Sequence, residues 1–311
     1  MLVVCMNPTM DRQVFLPELR PGSVSRATRN RRLAGGKPVD VLRAMAAHEF
    51  RPTLLVVLPE HNEGYLELLR EEGLDAETHE VPGHLRETII CYEDSGRSTV
   101  INGQGQPMTD ATWQPLRDAL VRRAADEDWV VLSGSFPPGV SADQVARLVA
   151  DLRAAGAKVA LDTGPAWLAA ALPAGPDLIT PNLAEAQQAL SAQHSVEAVE
   201  FGHGALDEAL TTARELAARG VRYVVVTVGS AGAAWATPDA SGTCASLEVE
   251  TVNPIGAGDA FLGGLLATLA GGDDFAEAVA MGTATAASAV LQWIPGRADA
   301  AQVREFRERL R

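Results

Sequence analysis

One segment of the chain combines a glycine-rich turn, the start of a helix and a carboxylate. Residues 253–261 read NPIGAGDAF and lead into the apolar stretch LGGLLATLA. A glycine turn before a helix presents backbone N–H groups and the positive end of the helix dipole to an anion, and small residues let a phosphate approach closely. Asp259 would repel a phosphate that is only bound, but it could take a proton from a hydroxyl that attacks phosphorus. The alternative is a plain turn in which Asp259 caps the helix.

A second candidate for chemistry is the lysine that ends the segment AGGK. The chain has 26 lysine and arginine residues, and only Lys37 and Lys158 are lysine. A lysine kept in such an arginine-rich chain indicates a place that needs a compact ammonium group. Chance retention of a surface lysine is the alternative, and it is our interpretation of Lys158, which precedes a strand.

Several familiar catalytic motifs are absent from the sequence. Pro38 follows Lys37, so there is no phosphate-binding P-loop, and no G-x-G-x-x-G follows a strand to indicate a dinucleotide cofactor. No Cys/His pair has the spacing of a zinc site. The segment around Gly134 and Ser135 does not supply the G-x-S-x-G elbow of an α/β hydrolase.

The composition narrows the choice of partners and compartment. The 311 residues include 26 basic and 40 acidic side chains, a formal net charge of −14, which disfavours nucleic acid and anionic membranes as partners. No apolar run reaches the roughly 20 residues that span a bilayer, and the first ten residues do not resemble a signal peptide. The three cysteines (Cys5, Cys91 and Cys244) are few and far apart, so we expect no disulfide framework and a cytoplasmic location.

Short apolar runs alternate with amphipathic stretches along most of the chain. This alternation predicts a single α/β domain over 1–311 with a doubly wound, mainly parallel central sheet and helices on both faces. The predicted strands are 2–6, 53–58, 129–134, 158–162, 177–180 and 223–228. The predicted helices are 38–48, 62–72, 110–125, 141–155, 205–219, 257–270 and 273–292.

Two polar, alternating segments interrupt this pattern, at about 11–34 and 86–101. The second predicts a hairpin around Asp94-Ser95-Gly96. We expect the two segments to form a small antiparallel flap, or lid, inserted into the domain, and an antiparallel extension of the main sheet is the alternative. Residues 191–204 have the weakest pattern and are interpreted as a surface loop.

A series of motifs, in order along the chain, resembles those of the ribokinase-like (PfkB) carbohydrate kinases, in the branch of 1-phosphofructokinase and tagatose-6-phosphate kinase. The resemblance covers nearly the whole chain and includes the opening MNPTMDRQVFLPELRPGSVSR and the segment 253–261. The intervening motifs are AGGK, TVINGQG, VVLSGSFPPGV, ALDTG, LITPNLAE and VVVTVGSAGAA. The resemblance implies an ATP-dependent kinase that uses Mg²⁺ and phosphorylates a hydroxyl of a sugar or sugar phosphate.

The resemblance also implies roles on the donor side. Asp259 matches the general base, and the backbone amides of Gly256, Ala257 and Gly258 match the anion hole for the transferring phosphoryl group. Asn182 and Glu185 match a pair linked to Mg²⁺ and the ATP phosphates, although the residues alone favour a helix start with an exposed glutamate. The turn that covers the nucleotide matches Thr227, Gly229 and Gly232.

On the acceptor side, the resemblance implies that Asp11 holds sugar hydroxyls and that Gly35 and Gly36 form the turn beneath the sugar. Lys37 and Arg86 match the cations that take the phosphate already present on the substrate. A solvated surface charge is the alternative for Arg86 taken alone.

The sequence departs from the family pattern at the acceptor end. Pro38 and Asp40 stand where the branch has glycine and a sugar-contacting asparagine, and Glu60 and Glu87 add further carboxylates. A negative charge 4 Å from a phosphate costs roughly 1 to 4 kcal/mol, depending on the dielectric. Either nearby cations offset these carboxylates, or the acceptor is an unphosphorylated sugar, polyol or nucleoside. A non-catalytic ligand-binding member of the fold is the remaining alternative, and a homodimer through the lid is a further expectation.

Overall fold

A computed structural model describes residues 1–191 and 204–310 of the chain. The predicted surface loop at 191–204 lies almost entirely outside these residues. In the described residues the strands are β1 Leu2–Cys5, β2 Thr9–Leu16, β3 Arg29–Gly35, β4 Thr53–His61, β5 Ala76–His84, β6 Arg86–Glu93, β7 Ser98–Asn102, β8 Trp129–Ser133, β9 Lys158–Asp162, β10 Leu178–Ile179, β11 Tyr223–Thr227, β12 Gly232–Ala236 and β13 Ser241–Ala245. The helices are α1 Lys37–Ala46, α2 Tyr65–Glu71, α3 Asp110–Ala124, α4 Ala142–Ala154, α5 Pro165–Ala171, α6 Leu183–Ser191, α7 Ala205–Ala218, α8 Ala257–Ala270, α9 Phe275–Ala289 and α10 Ala300–Arg309.

The main sheet has nine strands in the order β13-β12-β11-β10-β9-β8-β1-β4-β5. The seven strands from β11 to β5 in this order pair in parallel, and only β12 and β13 at one edge are antiparallel. The predicted doubly wound, mainly parallel sheet is confirmed. Its carboxyl edge gathers the ends of several strands, which is where such sheets bind ligands.

The central strand β1 explains why both faces of the sheet are covered. Leu2 and Val4 point into one apolar cluster with α3 to α7, whereas Val3 and Cys5 point into a second cluster with α1, α2, α8 and α9. Successive side chains of a strand alternate between faces, so a wholly apolar strand requires a helical layer on each side.

The two polar segments form the predicted lid, a four-stranded sheet in the order β3-β2-β6-β7. It is separate from the main sheet, so the edge-extension alternative is wrong. Two of its three pairings are antiparallel, and the central pair of β2 with β6 is parallel. The parallel pair arises because β2 and β6 come from distant segments that leave the main domain in the same direction.

Strands β5, β12 and β13 and helices α5 and α10 were not predicted from the sequence. Strand β5 carries several exposed polar residues and a proline, and β12 and β13 consist mostly of small residues, so none of the three has the run of large branched apolar residues that marks the interior strands. Among the described residues no helix is long and apolar enough to cross a membrane.

Candidate active site

The glycine turn before α8 forms what we call the anion loop, residues 253–258. Gly256 has a φ of 82° and directly precedes the helix, and an added Cβ there would lie 2.6 Å from the backbone nitrogen of Gly296. Glycine is therefore required at this position. An added Cβ at Gly258 would meet no heavy atom within 4 Å, so this residue faces open space. The loop thus turns through one glycine and leaves an open approach at the other.

Asp259 lies in the first turn of α8 and makes no capping hydrogen bond within the described structure, which contradicts the helix-cap alternative. Its side chain is only 7% exposed, and its Oδ1 has no hydrogen-bond partner among the described residues. Burial raises its pKa well above the ordinary value, and Lys37 opposes this rise. A buried carboxylate with an uncommitted oxygen is suited to take a proton from a bound hydroxyl.

Lys37 is the first residue of α1, and its positive charge lowers the pKa of Asp259. Its Nζ lies 3.3 Å from Oδ2 of Asp162, which also accepts a hydrogen bond from Ser133. Asp162 raises the pKa of Lys37 most, and Asp259 and Glu185 raise it further. The ammonium is therefore firmly charged, and its side chain remains 46% exposed.

The donor residues predicted from the sequence come together beside the anion loop. A cavity of about 100 Å³ is lined by Thr227, Gly229, Gly232, Ala257 and Gly258, among others. Small residues from the β11–β12 turn and the start of α8 thus leave room for a flat or anionic group.

Asn182 and Glu185 form a reciprocal pair at the start of α6. The backbone N–H of Asn182 donates to Oε2 of Glu185 at 3.0 Å, and the N–H of Glu185 donates to Oδ1 of Asn182 at 2.9 Å. Burial raises the pKa of Glu185. The helix-start interpretation is therefore correct, and it leaves one carboxylate oxygen of Glu185 available. No group of three or more His, Cys, Asp or Glu side chains in the described chain is arranged to hold a metal ion.

A second cavity, of about 430 Å³, lies beside Lys37. Arg86 shares its wall, with the guanidinium held by the carbonyl of Asn7 at 2.9 Å and by that of Gly103 at 3.4 Å. Other polar lining residues come from the motifs TVINGQG and SGSFPPGV, including Asn102, Gln104, Ser133 and Ser135. Two cations and several hydrogen-bonding groups therefore converge on one cavity, which we call the acceptor cavity.

Asp11 projects from the lid strand β2 onto the end of β3. An added Cβ at Gly35 would lie 2.2 Å from its carboxyl carbon, so glycine is needed for this approach. The next glycine, Gly36, has a φ of 123° and directly precedes α1. Burial, followed by the charge of Asp40, raises the pKa of Asp11 to about 7. Oδ1 of Asp11 has no hydrogen-bond partner among the described residues.

Three carboxylates depart from the family pattern at the acceptor end. Two of them pair with arginines, and the third lies away from the acceptor cavity. Asp40 is buried and accepts from Arg43 at 2.7 Å, and burial raises its pKa to about 6. Glu87 pairs with Arg12 on the lid at 2.7 Å. Glu60 is exposed at the end of β4 and does not line the acceptor cavity. Asp40 and Glu87 also do not line it.

Sequence analysis assigned no role to Asp162, Arg43 or Arg12. The motif that contains Asp162 was recognised, and its position at the end of a buried strand was a usable signal. The arginine partners gave no such signal because pairing between distant segments depends on how the lid and α1 fold.

Comparisons with known proteins agree with this geometry. The sequence profile of the pfkB family carbohydrate kinases matches residues 2–293. The chain belongs to this family. It is therefore a carbohydrate kinase, an ATP-dependent phosphotransferase with an alcohol group as acceptor, as expected from the resemblance.

Named relatives and structures extend the comparison. A 1-phosphofructokinase of Xanthomonas campestris pv. campestris is 36% identical over 276 residues, covering 86% of this chain and 83% of that enzyme. A 1-phosphofructokinase of Haloferax volcanii is 31% identical and covers 93% and 90%. The structure also matches Escherichia coli phosphofructokinase-2 in complex with potassium, with a TM-score of 0.87, 23% identity and coverage of 100% and 98%. That structural likeness supports the ribokinase-like fold.

Proposed function

We propose that this pfkB family kinase transfers the γ-phosphoryl group of ATP to a hydroxyl of a hexose phosphate, with fructose 1-phosphate as the acceptor. The relatives named 1-phosphofructokinase support this choice, since at least three of them exceed 30% identity over most of both chains. The acceptor cavity supports it independently.

The observation that carries the proposal is the meeting of Lys37 and Arg86 on the wall of one cavity. Burial lowers the pKa of the Arg86 guanidinium, which indicates a charge held away from bulk water. Carbonyl oxygens hold Arg86, and among the described residues it forms no ion pair with a carboxylate. A desolvated arginine beside a lysine is well suited to bind a phosphate.

The pairing of the added carboxylates removes the main argument for an unphosphorylated acceptor. Asp40 and Glu87 each lie within 2.7 Å of an arginine nitrogen, so their charges are largely compensated. An unphosphorylated acceptor would leave Arg86 without an anion in the cavity and Lys37 with Asp162 as its ion-pair partner. The electrostatics therefore favour a phosphosugar.

In the proposed reaction, Asp259 removes the proton of the acceptor hydroxyl while that oxygen attacks the γ-phosphorus. The O–P bond to the acceptor forms, the bond between the γ-phosphorus and the β,γ-bridging oxygen breaks, and ADP leaves. The anion loop amides at Gly256, Ala257 and Gly258 stabilise the developing charge, and Lys37, which interacts electrostatically with Asp259, adds a cation.

Mg²⁺ fits the residues at the start of α6. Glu185 keeps one carboxylate oxygen free of the pair it forms with Asn182, and Mg²⁺ takes one or two protein oxygens together with waters and substrate phosphates. When bound, the ion would neutralise charge on the ATP phosphates. We propose Glu185 and Asn182 as the residues that hold it.

The lid completes the acceptor side. We propose that the uncommitted Oδ1 of Asp11 on β2 accepts hydrogen bonds from sugar hydroxyls, with Gly35 making room for the Asp11 carboxyl and Gly36 forming the turn into α1. A closed lid would exclude water from the reacting phosphorus and so limit hydrolysis of ATP.

We further propose that the lid supports a homodimer and that the kinase acts in the cytoplasm. The edge strand β7 exposes Val100 and Ile101, which a second lid could cover. In the described chain the three cysteines are unpaired, which fits a reducing compartment. Sedimentation of the wild type and of Ile101→Glu tests the dimer, which the substitution should dissociate.

An acceptor screen tests the proposed function. Purified protein with ATP and Mg²⁺ is offered fructose 1-phosphate, fructose 6-phosphate and tagatose 6-phosphate, together with fructose, polyols and nucleosides, and ADP and phosphorylated product are both measured. We expect the highest kcat/KM with fructose 1-phosphate. A higher kcat/KM with a free sugar, polyol or nucleoside would overturn the acceptor class, and nucleotide binding without transfer would indicate a non-catalytic protein.

A further inference from the structure

The inner face of the lid contacts the segment after α9 through the buried side chain of Gln13, whose Nε2 lies within hydrogen-bond distance of the Tyr92 hydroxyl and of the Trp293 carbonyl. Gln13 lies two residues after Asp11 on β2, so both side chains are on the same face of the strand. Gln13 is 0% exposed, and its Nε2 donates a hydrogen bond to the backbone carbonyl of Trp293 at 3.1 Å. Its neighbour Arg12 points to the opposite, solvent-facing side.

The same carbonyl connects the lid to the anion loop. Nδ2 of Asn253 donates to the Trp293 oxygen at 3.2 Å, and Oδ1 of Asn253 accepts from the backbone N–H of Ile255 at 3.1 Å. One oxygen therefore receives a lid amide and an anion-loop amide together. A change in the position of β2 must alter the surroundings of Asn253, which shapes the turn just before Gly256.

Aromatic packing reinforces the contact. The rings of Phe15 and Tyr92 stack at 5.1 Å on the lid, and Trp293 meets them edge-on at 5.2 and 5.6 Å. These pairs hold the lid strands β2 and β6 against the segment after α9. The hydrogen bonds thus sit beside a packed contact between the two parts.

We propose that Gln13 is a positioning residue that couples the seating of the lid to the shape of the anion loop. The proposal rests on the proposed function in taking the anion loop as the phosphoryl site and Asp11 as the acceptor contact. When Asp11 holds an acceptor, strand β2 is fixed in place. Gln13, two residues further along β2, then fixes the carbonyl of Trp293. Asn253, which shares that carbonyl, passes the restraint to the backbone amide of Ile255. The loop reaches its productive geometry when the lid is seated on the acceptor.

Gln13→Met tests the coupling because it keeps length and burial and removes the N–H donor. Gln302→Met is a matched control, since Oε1 of Gln302 accepts one hydrogen bond from Ser288 between α10 and α9, away from the lid. We expect kcat for phosphoryl transfer to the acceptor to fall about tenfold in Gln13→Met, which corresponds to an increase of about 1.4 kcal/mol in the activation free energy. The KM for the acceptor should change by less than about threefold. The ratio of acceptor-independent ATP hydrolysis to transfer should rise about tenfold, and the control should match the wild type.

A second readout does not depend on turnover. Hydrogen exchange at the Ile255 amide in the ligand-free protein should accelerate at least about tenfold in Gln13→Met and in the smaller Gln13→Leu, with α4 unaffected. Unchanged exchange at Ile255 overturns the coupling, as does a kcat within twofold of the wild type or an equal fall in hydrolysis and transfer. Failure of the wild type to phosphorylate any acceptor would instead overturn the proposed function, and the exchange measurement would still decide the coupling.

Discussion

Nζ of Lys37 lies 3.3 Å from Oδ2 of Asp162, and the same ammonium lines the acceptor cavity and interacts electrostatically with Asp259 and Glu185. This single cation therefore connects the acceptor cavity to the carboxylates of the anion loop and α6. The pair explains why an otherwise arginine-rich chain keeps a lysine here, since a compact ammonium can serve several oxygens at close range.

Replacing Lys37 by methionine should lower kcat/KM for fructose 1-phosphate by about 10²-fold, because the cavity loses a charge that faces an anion. The loss for free fructose should be smaller. Steady-state kinetics on both acceptors measure the difference. Lys158→Met is the matched control, since Lys158 only lies over the ring of Trp129, and its kinetics should be those of the wild type. Equal losses of kcat/KM on both acceptors would show that Lys37 does not contact the phosphate of the acceptor.

Two glycines of the anion loop should respond differently to alanine. Gly256→Ala should destabilise the fold, because its φ of 82° and its contact with Gly296 exclude a Cβ. Gly258→Ala has open space and should leave unfolding by urea unchanged while lowering kcat at least about tenfold by blocking the phosphoryl group. Full activity in Gly258→Ala would show that no phosphate approaches the backbone there.

The acceptor KM should depend on the ionisation of Asp11. The pKa of Asp11 is raised to about 7, mainly by burial, and the ionised carboxylate is the form that accepts two hydroxyl hydrogen bonds. KM for the acceptor should therefore fall as pH rises through about 7. The pH profile of Asp11→Asn should lose this step. A KM that is flat across neutral pH in the wild type would contradict the assignment.

Ionisation of Asp11 should lower the stability of the fold, although it favours binding of the acceptor. The pKa of Asp11 in the folded chain, about 7, lies above the roughly 3.9 of an unfolded aspartate, so between these values the folded chain holds the extra proton. Its contribution to the free energy of unfolding is then fully present below about pH 4 and is lost as pH rises towards 7. Asp40, with a pKa of about 6, adds to this slope. Urea unfolding of the wild type and of Asp11→Asn measures it.

Arg43 should stabilise the fold because its charge compensates the carboxylates around it. It is buried and donates to Asp40 at 2.7 Å and to Glu72 at 2.6 Å. Arg43→Met should lower the free energy of unfolding by about 3–5 kcal/mol, since it leaves the buried Asp40 without its ion-pair partner, whereas Glu72 keeps Arg297. Adding Asp40→Asn should restore part of the loss, as a neutral amide is easier to bury. A double variant no more stable than Arg43→Met would show that Asp40 is not the charge that Arg43 compensates.

The parts of the fold that could be predicted from sequence are those in which local pattern and tertiary role agree. Strands such as Leu2–Cys5 are apolar on both faces because helices cover both faces, and the anion loop is readable because glycine and helix start are adjacent in the chain. Strand Ala76–His84 was missed because it lies at a sheet edge, where polar residues and Pro82 are tolerated.

The candidate site divides in the same way. The anion loop could be located from spacing alone, and the Asn182–Glu185 pair could be located from its resemblance to the family motif. Relationships across the fold could not, because Asp162 meets Lys37 over 125 positions and Gln13 meets Trp293 over 280. In the sequence, the added acidic residues at 40 and 87 indicated electrostatic repulsion of a phosphosugar. Only the folded structure shows that each of them pairs with an arginine.

The central claim is that Asp259 is the base for phosphoryl transfer, and Asp259→Asn tests it most directly. The amide keeps the shape of the side chain but cannot take the proton, so kcat for transfer from ATP to fructose 1-phosphate should fall by about 10²- to 10⁴-fold. The dissociation constants of ATP and the acceptor should change by less than about threefold. A variant that folds like the wild type and keeps kcat within tenfold would contradict the account.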